Sequence, residues 1–443
     1  MKGRPASRQG TLSLMMRAFK YRNYRLFFGG QGISLIGTWM QRIAMSWLVY
    51  RLTGSAMLLG VVGFCGQIPT FLLSPIAGVL ADRFDRHRIL LATQTLAMLQ
   101  AMTMAWLTLS GRVQVWHIIA ISSFLGLVNA FDIPARQSFV IDMVERKEDL
   151  GNAIALNSSM FNGARLVGPS VAGVLIGLTG EGVCFLLDGV SYLAVIAALL
   201  AMKVPAPKPK PAGEPVLRRL RDGFGYAFGF APIKFIILLL ALTSLTGMPY
   251  TVLMPVYVKQ VLHGGPGTLG FLMAFSGAGA LLSAVVLASR RSAAGLEARI
   301  PLSTLVFGLG LLLISAAPGF PAAAAAIALA SFGMISQMAS SNTIIQTVVD
   351  DDKRGRVMAI YAMSFMGMMP FGSILAGWGA THIGVQRTIM LSGILSVLGA
   401  AVFYTRLGSI RESVAPVFRR LGIAPEVAAG LESAAELTAP PED

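Results

Sequence analysis

The sequence predicts an all-α integral membrane protein, with twelve transmembrane helices in two pseudo-symmetric six-helix bundles and both termini cytoplasmic. Three observations predict it. Uncharged stretches of roughly 20 residues or more recur along the 443-residue chain; lysine and arginine collect in alternate loops; and one loop-plus-helix unit returns 204 positions later. The composition agrees, at 55% hydrophobic and 13% charged residues with a mean hydropathy of +0.68. Soluble domains carry about 25% charged residues, so an ordinary soluble enzyme is excluded. A net charge of +15 would suit a nucleic-acid binder. That reading fails because the apolar excess leaves no soluble body to display a basic face.

A membrane helix needs about 20 mostly apolar residues to cross about 30 Å of hydrocarbon. The first span runs from about Leu26 to Tyr50. The second and third fill the charge-free windows between Arg51 and Asp82 and between Arg88 and Arg112. The fourth runs from Val113 to about Phe139, the fifth from Asn152 to Thr179 and the sixth from Gly182 to Met202. Windows between Lys234 and Lys259 and between Lys259 and Arg290 hold the seventh and eighth. The stretch from Arg299 to Asp350 holds two spans, turned at Pro318-Gly319-Phe320-Pro321. The eleventh lies between Arg356 and Arg387 and the last runs from Thr388 to Thr405.

The chain divides accordingly into a basic cytoplasmic segment (1–25), a first bundle (26–203), a linker (204–232), a second bundle (233–406) and a cytoplasmic tail (407–443). The N-terminus lacks the apolar core of a signal peptide and reads as a segment lying on anionic headgroups. Residues 204–215 form a Pro-rich extended linker. Beyond it Leu217, Leu220, Phe224 and Phe228 recur at helical spacing beside Arg218, Arg219 and Arg221; this suggests an interfacial amphipathic helix, against the alternative of a disordered basic loop. The tail is polar and Ala/Glu-rich, with little functional role expected. Cys65 and Cys184 are too few and too isolated for a disulfide framework or a metal site.

Orientation follows from the basic residues. With a cytoplasmic N-terminus, thirty of the 36 lysines and arginines fall on the inside. Only Arg51, Arg112, Lys259 and Arg387 lie in outside loops, while Arg42 and Arg165 lie within spans. The charge therefore encodes topology. The internal repeat places Gly151 on Gly355, Gly168 on Gly372, Ala172 on Ala376 and Gly173 on Gly377, and each unit begins at a charged loop. Small residues alone could be helix-packing glue; the shared register with the loop charges favours duplication.

The loop after the second span reads Gly78-Val79-Leu80-Ala81-Asp82-Arg83-Phe84-Asp85-Arg86-His87-Arg88. Gly78 permits close helix approach, Asp82 can accept from a helix N-terminus, and the arginines hold the loop at a negative surface. It resembles the loop signature of the major facilitator superfamily. The resemblance implies a conformational latch formed by Gly78, Asp82, Arg83, Arg86 and Arg136, in which Asp82 meets the Gly355–Val357 region of the eleventh helix. The second half keeps Arg290 and Arg291 at the equivalent place but has no acid there, so the latch would be asymmetric. In the fifth span, Gly163-Ala164-Arg165-Leu166-Val167-Gly168-Pro169-Ser170-Val171-Ala172-Gly173 looks like the family's antiporter motif. Its Gly163, Gly168, Pro169 and Gly173 would kink the helix and seal a leak path, and exporters carry this motif more often than importers. A plain proline kink with small-residue packing explains that geometry but not Arg165. Further stretches, among them Gly37-Thr38-Trp39-Met40-Gln41, Pro134-Ala135-Arg136-Gln137 and Ser191-Tyr192-Leu193-Ala194-Val195, are similar to the enterobactin exporter and macrolide efflux branch. Some members of that branch have an acid where Thr38 stands.

Ionisable residues within spans are expensive and by default functional. Arg42, Asp132, Arg165 and Asp188 qualify, and Asp132, Asp188 and Arg165 are the proton-coupling candidates. Asp132 precedes Arg136 by four residues, the favourable helical spacing. Two readings are open for it: a titratable switch that frees Arg136 for Asp82, or a permanent brace. Asp188 reads as structural, with a pair to Arg165 conceivable. By resemblance, the inner faces of helices 1, 4, 5, 7, 8, 10 and 11 contact substrate. That selects Gln31, Trp39, Arg42, Asn129, Asn157, Asn162, Gln337, Asn342 and Gln346 as cavity candidates, each with interhelical hydrogen bonding as its alternative. As a set they suit an amphipathic, mostly neutral ligand.

The expected function is secondary active export of small drug- or siderophore-like molecules by alternating access, in exchange for protons. The protein would be a monomer of the bacterial cytoplasmic membrane whose partners are its substrate and lipids, with no nucleic acid, no metal and no cofactor beyond the proton gradient. It would not be an enzyme, and the absence of a Gly-x-x-x-x-Gly-Lys-Ser/Thr sequence disfavours an ATP-driven pump. A lysophospholipid flippase of the same fold and a non-transporting receptor or scaffold are the alternatives.

Overall fold

The computed structural model describes residues 17–144, 146–204, 216–288 and 295–420, which are helical nearly throughout. A chain immersed in lipid has to satisfy its backbone hydrogen bonds within each segment, and helices do so. A short 3-10 turn (Arg17–Lys20) leads into α1 (Arg22–Thr53), α2 (Ala56–Arg83), α3 (Arg86–Leu109), α4 (Val115–Asp142), α5 (Lys147–Thr179) and α6 (Glu181–Ala201). Helix α7 (Val216–Gly229) follows. The second group is α8 (Ala231–Leu242), a π-helical turn (Thr243–Gly247), α9 (Tyr250–Gln260), α10 (Pro266–Ala288), α11 (Leu296–Ala316), α12 (Phe320–Val348), α13 (Asp351–Met366), α14 (Met368–Ile383), α15 (Val385–Thr405) and α16 (Leu407–Arg420). Among the described residues, eleven helical segments are long and apolar enough to cross a membrane. Helix α1 has the length but is more polar, carrying Gln31, Gln41, Arg42 and Arg51.

The turns follow local chemistry. Ser55 caps α2 by accepting from the Leu58 amide, and Asp85 caps α3 by accepting from His87 and Arg88. Gly180 and Gly384 adopt φ of +86° and +87° in the turns α5–α6 and α14–α15, a conformation that favours glycine. These two glycines are themselves 204 positions apart.

Helix α1 packs on α5 and α6, α2 on α4, and α3 on α4 and α6; in the second group α11 packs on α12 and α15, and α10 on α12. The groups meet mainly along α2 against α14 and α5 against α10. Both seams are glycine contacts, and the duplicated glycines make them. A Cβ at Gly173 would lie 3.0 Å from Cα of Gly270 on α10, and a Cβ at Gly377 would lie 3.1 Å from Cα of Gly60 on α2. Gly168 packs against Trp39 and Ile36 of α1, while its counterpart Gly372 packs against Leu245 and Pro249 of the π-turn and its flank. The duplication thus recurs as a repeated set of contacts.

The seventh span contains the π-turn, against which Gly372 packs at the Leu245 carbonyl. The eleventh has a turn at Gly367 between α13 and α14. The tail begins with a helix: α16 buries Leu407, Ile410, Val414 and Phe418, and Arg411 pairs with Glu297 at 3.3 Å. Residues 205–215 and 421–443 lie outside the described residues, as do Arg290 and Arg291.

Candidate functional site

The helices run between two unlike ends. One end holds Arg51, Arg112, Lys259 and Arg387; the other holds Arg86, Arg136, Arg146, Lys353 and Arg356. Toward the first end the two groups of helices are sealed together by the glycine seams, and Gln260 of α9 donates to the Tyr50 hydroxyl of α1 at 3.2 Å. Toward the arginine-rich end a Cβ at Gly78, Gly151, Gly163 or Gly355 would meet nothing within 4 Å.

Trp39, Arg42 and Arg165 meet within the spans, where α1 packs on α5. The Arg42 guanidinium carbon lies 4.8 Å and that of Arg165 5.7 Å from the centre of the Trp39 ring, within range of cation–π attraction. Phe161 packs edge-on against the same indole at 5.7 Å, and Gly168 lets α5 close on it from behind. Arg42 keeps accessible surface although it lies within a span. Arg165 reaches across the seam and donates to the Ser276 hydroxyl at 3.3 Å. Ser276 is hydrogen-bonded to Ser331 at 2.7 Å, and Ser331 to Tyr250 at 3.3 Å, so three buried hydroxyls of the second group anchor an arginine of the first. Among the described residues neither guanidinium has an ion-pair partner.

The two buried aspartates are treated differently. Asp132 is held by Thr93 at 2.8 Å, by Gln94 at 2.7 Å and by a very short contact from Arg136. It ties α3 to α4, the geometry of a brace. Asp188 is fully buried against α1, where a Cβ at Gly37 would come within 2.6 Å of its Oδ1. Neither of its carboxyl oxygens has a hydrogen-bond partner among the described residues. It does not pair with Arg165, because Arg165 is drawn to Ser276 on the opposite side of the seam.

Among the other latch residues, Arg86 pairs with Asp142 at 2.8 Å, while the side chains of Asp82 and Arg83 lie outside the described residues. Asn129, Asn157 and Asn162 keep partial accessibility; the Asn162 amide donates to Ser158 at 2.9 Å. Gln346 is exposed and donates to Asn342. Gln31 and Gln337 are almost wholly buried, and Gln337 donates to Thr243 of the π-turn at 3.2 Å. Thr93, Gln94, Ser276, Ser331 and Tyr250 were not legible as site residues, since a lone hydroxyl in an apolar span carries no signal until its partner is known. Another repeated device also emerges: Tyr21 donates to Asp149 at 2.7 Å, and Tyr226 of α7 donates to Asp350 at 3.3 Å. Each half thereby ties the segment before its first helix to the acidic loop before its fifth.

The profile of the transmembrane secretion effector family matches residues 16–431. The chain is similar to the staphyloferrin A transporter of Staphylococcus aureus (29% identity over 86% of this chain and 95% of the relative). It is also similar to macrolide efflux protein A of Streptococcus pyogenes (24%, 86% and 96%) and to the multidrug efflux pump Tap of Mycolicibacterium fortuitum (26%, 85% and 93%). Among solved structures, a bacterial homologue of the human lysosomal transporter Spinster, in an inward-facing and unoccupied conformation, superposes with a TM-score of 0.70. The identity is 12%, over 91% of this chain and 99% of that one.

Proposed function

The chain belongs to the transmembrane secretion effector family of the major facilitator superfamily, a family of membrane transporters and not of enzymes, and from that premise we propose that it exports small amphipathic molecules in exchange for protons. In this reading it has twelve spans, α1 being the first, and both termini are cytoplasmic. The arginine-rich end faces the cytoplasm of a bacterial cell, and a monomer moves substrate through the cytoplasmic membrane by rocking its two groups of helices about the central site. The observation that carries the reading is the pair of glycine seams that join the two groups of helices at one end, together with Trp39, Arg42 and Arg165 gathered within the spans.

The structure then corresponds to the cytoplasm-open state, ready to load. Closure at the arginine-rich end and parting of the seams would expose the same site to the outside. For the proton we assign Asp188 ahead of Asp132: a carboxyl that gains and loses a proton during each cycle needs uncommitted oxygens, and Asp132 has none to spare.

The test is flux into proteoliposomes with an acidic lumen, using a siderophore, a macrolide and a lysophospholipid. Uptake of either of the first two that collapses with a protonophore is expected. Uptake indifferent to the protonophore contradicts proton exchange, movement of the lysophospholipid alone favours a flippase, and no movement of any probe overturns the exporter reading.

A further inference from the structure

The two arginines that meet at Trp39 narrow the substrate. Arginine stays charged, and a charge at mid-span persists only where it is paired, solvated or used. Arg42 and Arg165 share one indole. Asp188, packed against Gly37, hydrogen-bonds neither, but its charge acts on Arg42. Asp132 is already committed to Arg136, Thr93 and Gln94. With at most one acid set against two guanidinium groups, the site keeps an excess positive charge beside an aromatic wall of Trp39 and Phe161.

We infer that Arg42, Trp39 and Arg165 form the binding site for the anionic end of the substrate, and that the transported class is amphipathic carboxylates. The planar guanidinium fork matches a carboxylate in a bidentate fashion, while the aromatic wall receives the apolar body. This departs from the mostly neutral ligand expected from the sequence, and it rests on the transporter reading above. Arg165 also connects occupancy to the seam. Its bond to Ser276 ties α5 to α10, so a carboxylate that draws Arg165 away from Ser276 removes one tie between the two groups of helices.

The experiment measures probe anisotropy on the purified full-length protein with carboxyfluorescein (anion), ethidium (cation) and Nile red (neutral), followed by flux of the same probes in proteoliposomes. Wild type is expected to bind carboxyfluorescein at least about tenfold more tightly than ethidium, and Arg42→Gln and Arg165→Gln each to lose about tenfold or more for the anion alone, as befits a charged hydrogen bond. Arg42→Lys and Arg165→Lys should recover part of the loss, since charge returns without the fork. A preference of wild type for ethidium or Nile red overturns the inference while leaving the transporter reading intact, and this comparison needs no variant to fold. Glutamine variants that weaken all three probes alike, or none, also overturn it. A wild type that binds and moves no probe removes the transporter reading and the inference with it.

Discussion

Substitution of Gly270 by alanine places a methyl where the structure has only backbone. Its Cβ would lie 2.7 Å from Cα and 2.9 Å from N of Gly173, and neither atom can rotate away as a flexible side chain could. Overpacking of this kind costs about 1–3 kcal/mol. The penalty falls only on the state in which α5 and α10 are in contact, so it shifts the balance between the two states by roughly 5–150-fold. The assay is a spin-label distance between Tyr50 and Gln260, which are hydrogen-bonded across the closed end, in a background lacking Cys65 and Cys184. Wild type should give one short distance, and Gly270→Ala a major population at longer distance. Gly78→Ala, whose Cβ meets nothing here, should leave the short distance in place. An unchanged distribution in Gly270→Ala would refute the claim that this seam seals the closed end.

Other expectations follow from the same contacts. Asp188→Asn should still bind substrate but lose proton-driven accumulation; wild-type proton flux in that variant would remove Asp188 from the coupling. Asp132→Asn gives up the ionic contact to Arg136, which should cost about 1–3 kcal/mol and lower the melting temperature while leaving the pH profile of transport unmoved; a displaced profile would restore the switch reading. At the surface, the hydrogen bonds to Asp149 and then Tyr21 hold the Lys20 ammonium above its ordinary 10.5, opposed by desolvation. Because the folded value is raised, the tie between the 3-10 turn and α5 is complete below about pH 10.5 and is lost as pH climbs through the folded value. An NMR titration of Lys20 should therefore show a midpoint above 10.5 that falls in Asp149→Asn, and a wild-type midpoint at or below 10.5 would contradict the tie.

Span positions and the repeat were legible because membrane insertion writes them in a one-dimensional code. Uncharged windows mark helices, and the 204-residue shift aligned Gly173 with Gly377 before their equivalent contacts with Gly270 and Gly60 were seen. The tail helix was not read from the sequence, because polar residues flank Leu407, Ile410, Val414 and Phe418 despite their helical spacing. The π-turn was hidden, since Thr243–Gly247 reads as ordinary apolar helix and its neighbour Gly372 comes from a distant part of the chain. At the site, Arg42 and Arg165 stood out by their cost within a span. Their shared contact with Trp39, and the reach of Arg165 to Ser276, depend on helix rotation and on packing between α5 and α10, for which one sequence has no code. The Gln337 amide's bond to Thr243 was hidden for the same reason.

Alternating access is the central claim, and paired distances at the two ends test it most directly. Labels at Tyr50 and Gln260 report the closed end, and labels at Ile141 and Gln346 report the arginine-rich end between α4 and α12. In the resting protein the first pair should be close and the second far apart. Acidification with transported substrate present should lengthen the first and shorten the second together, in the same fraction of molecules. Two ends that open and close in step, or an arginine-rich end that never closes, would contradict the account.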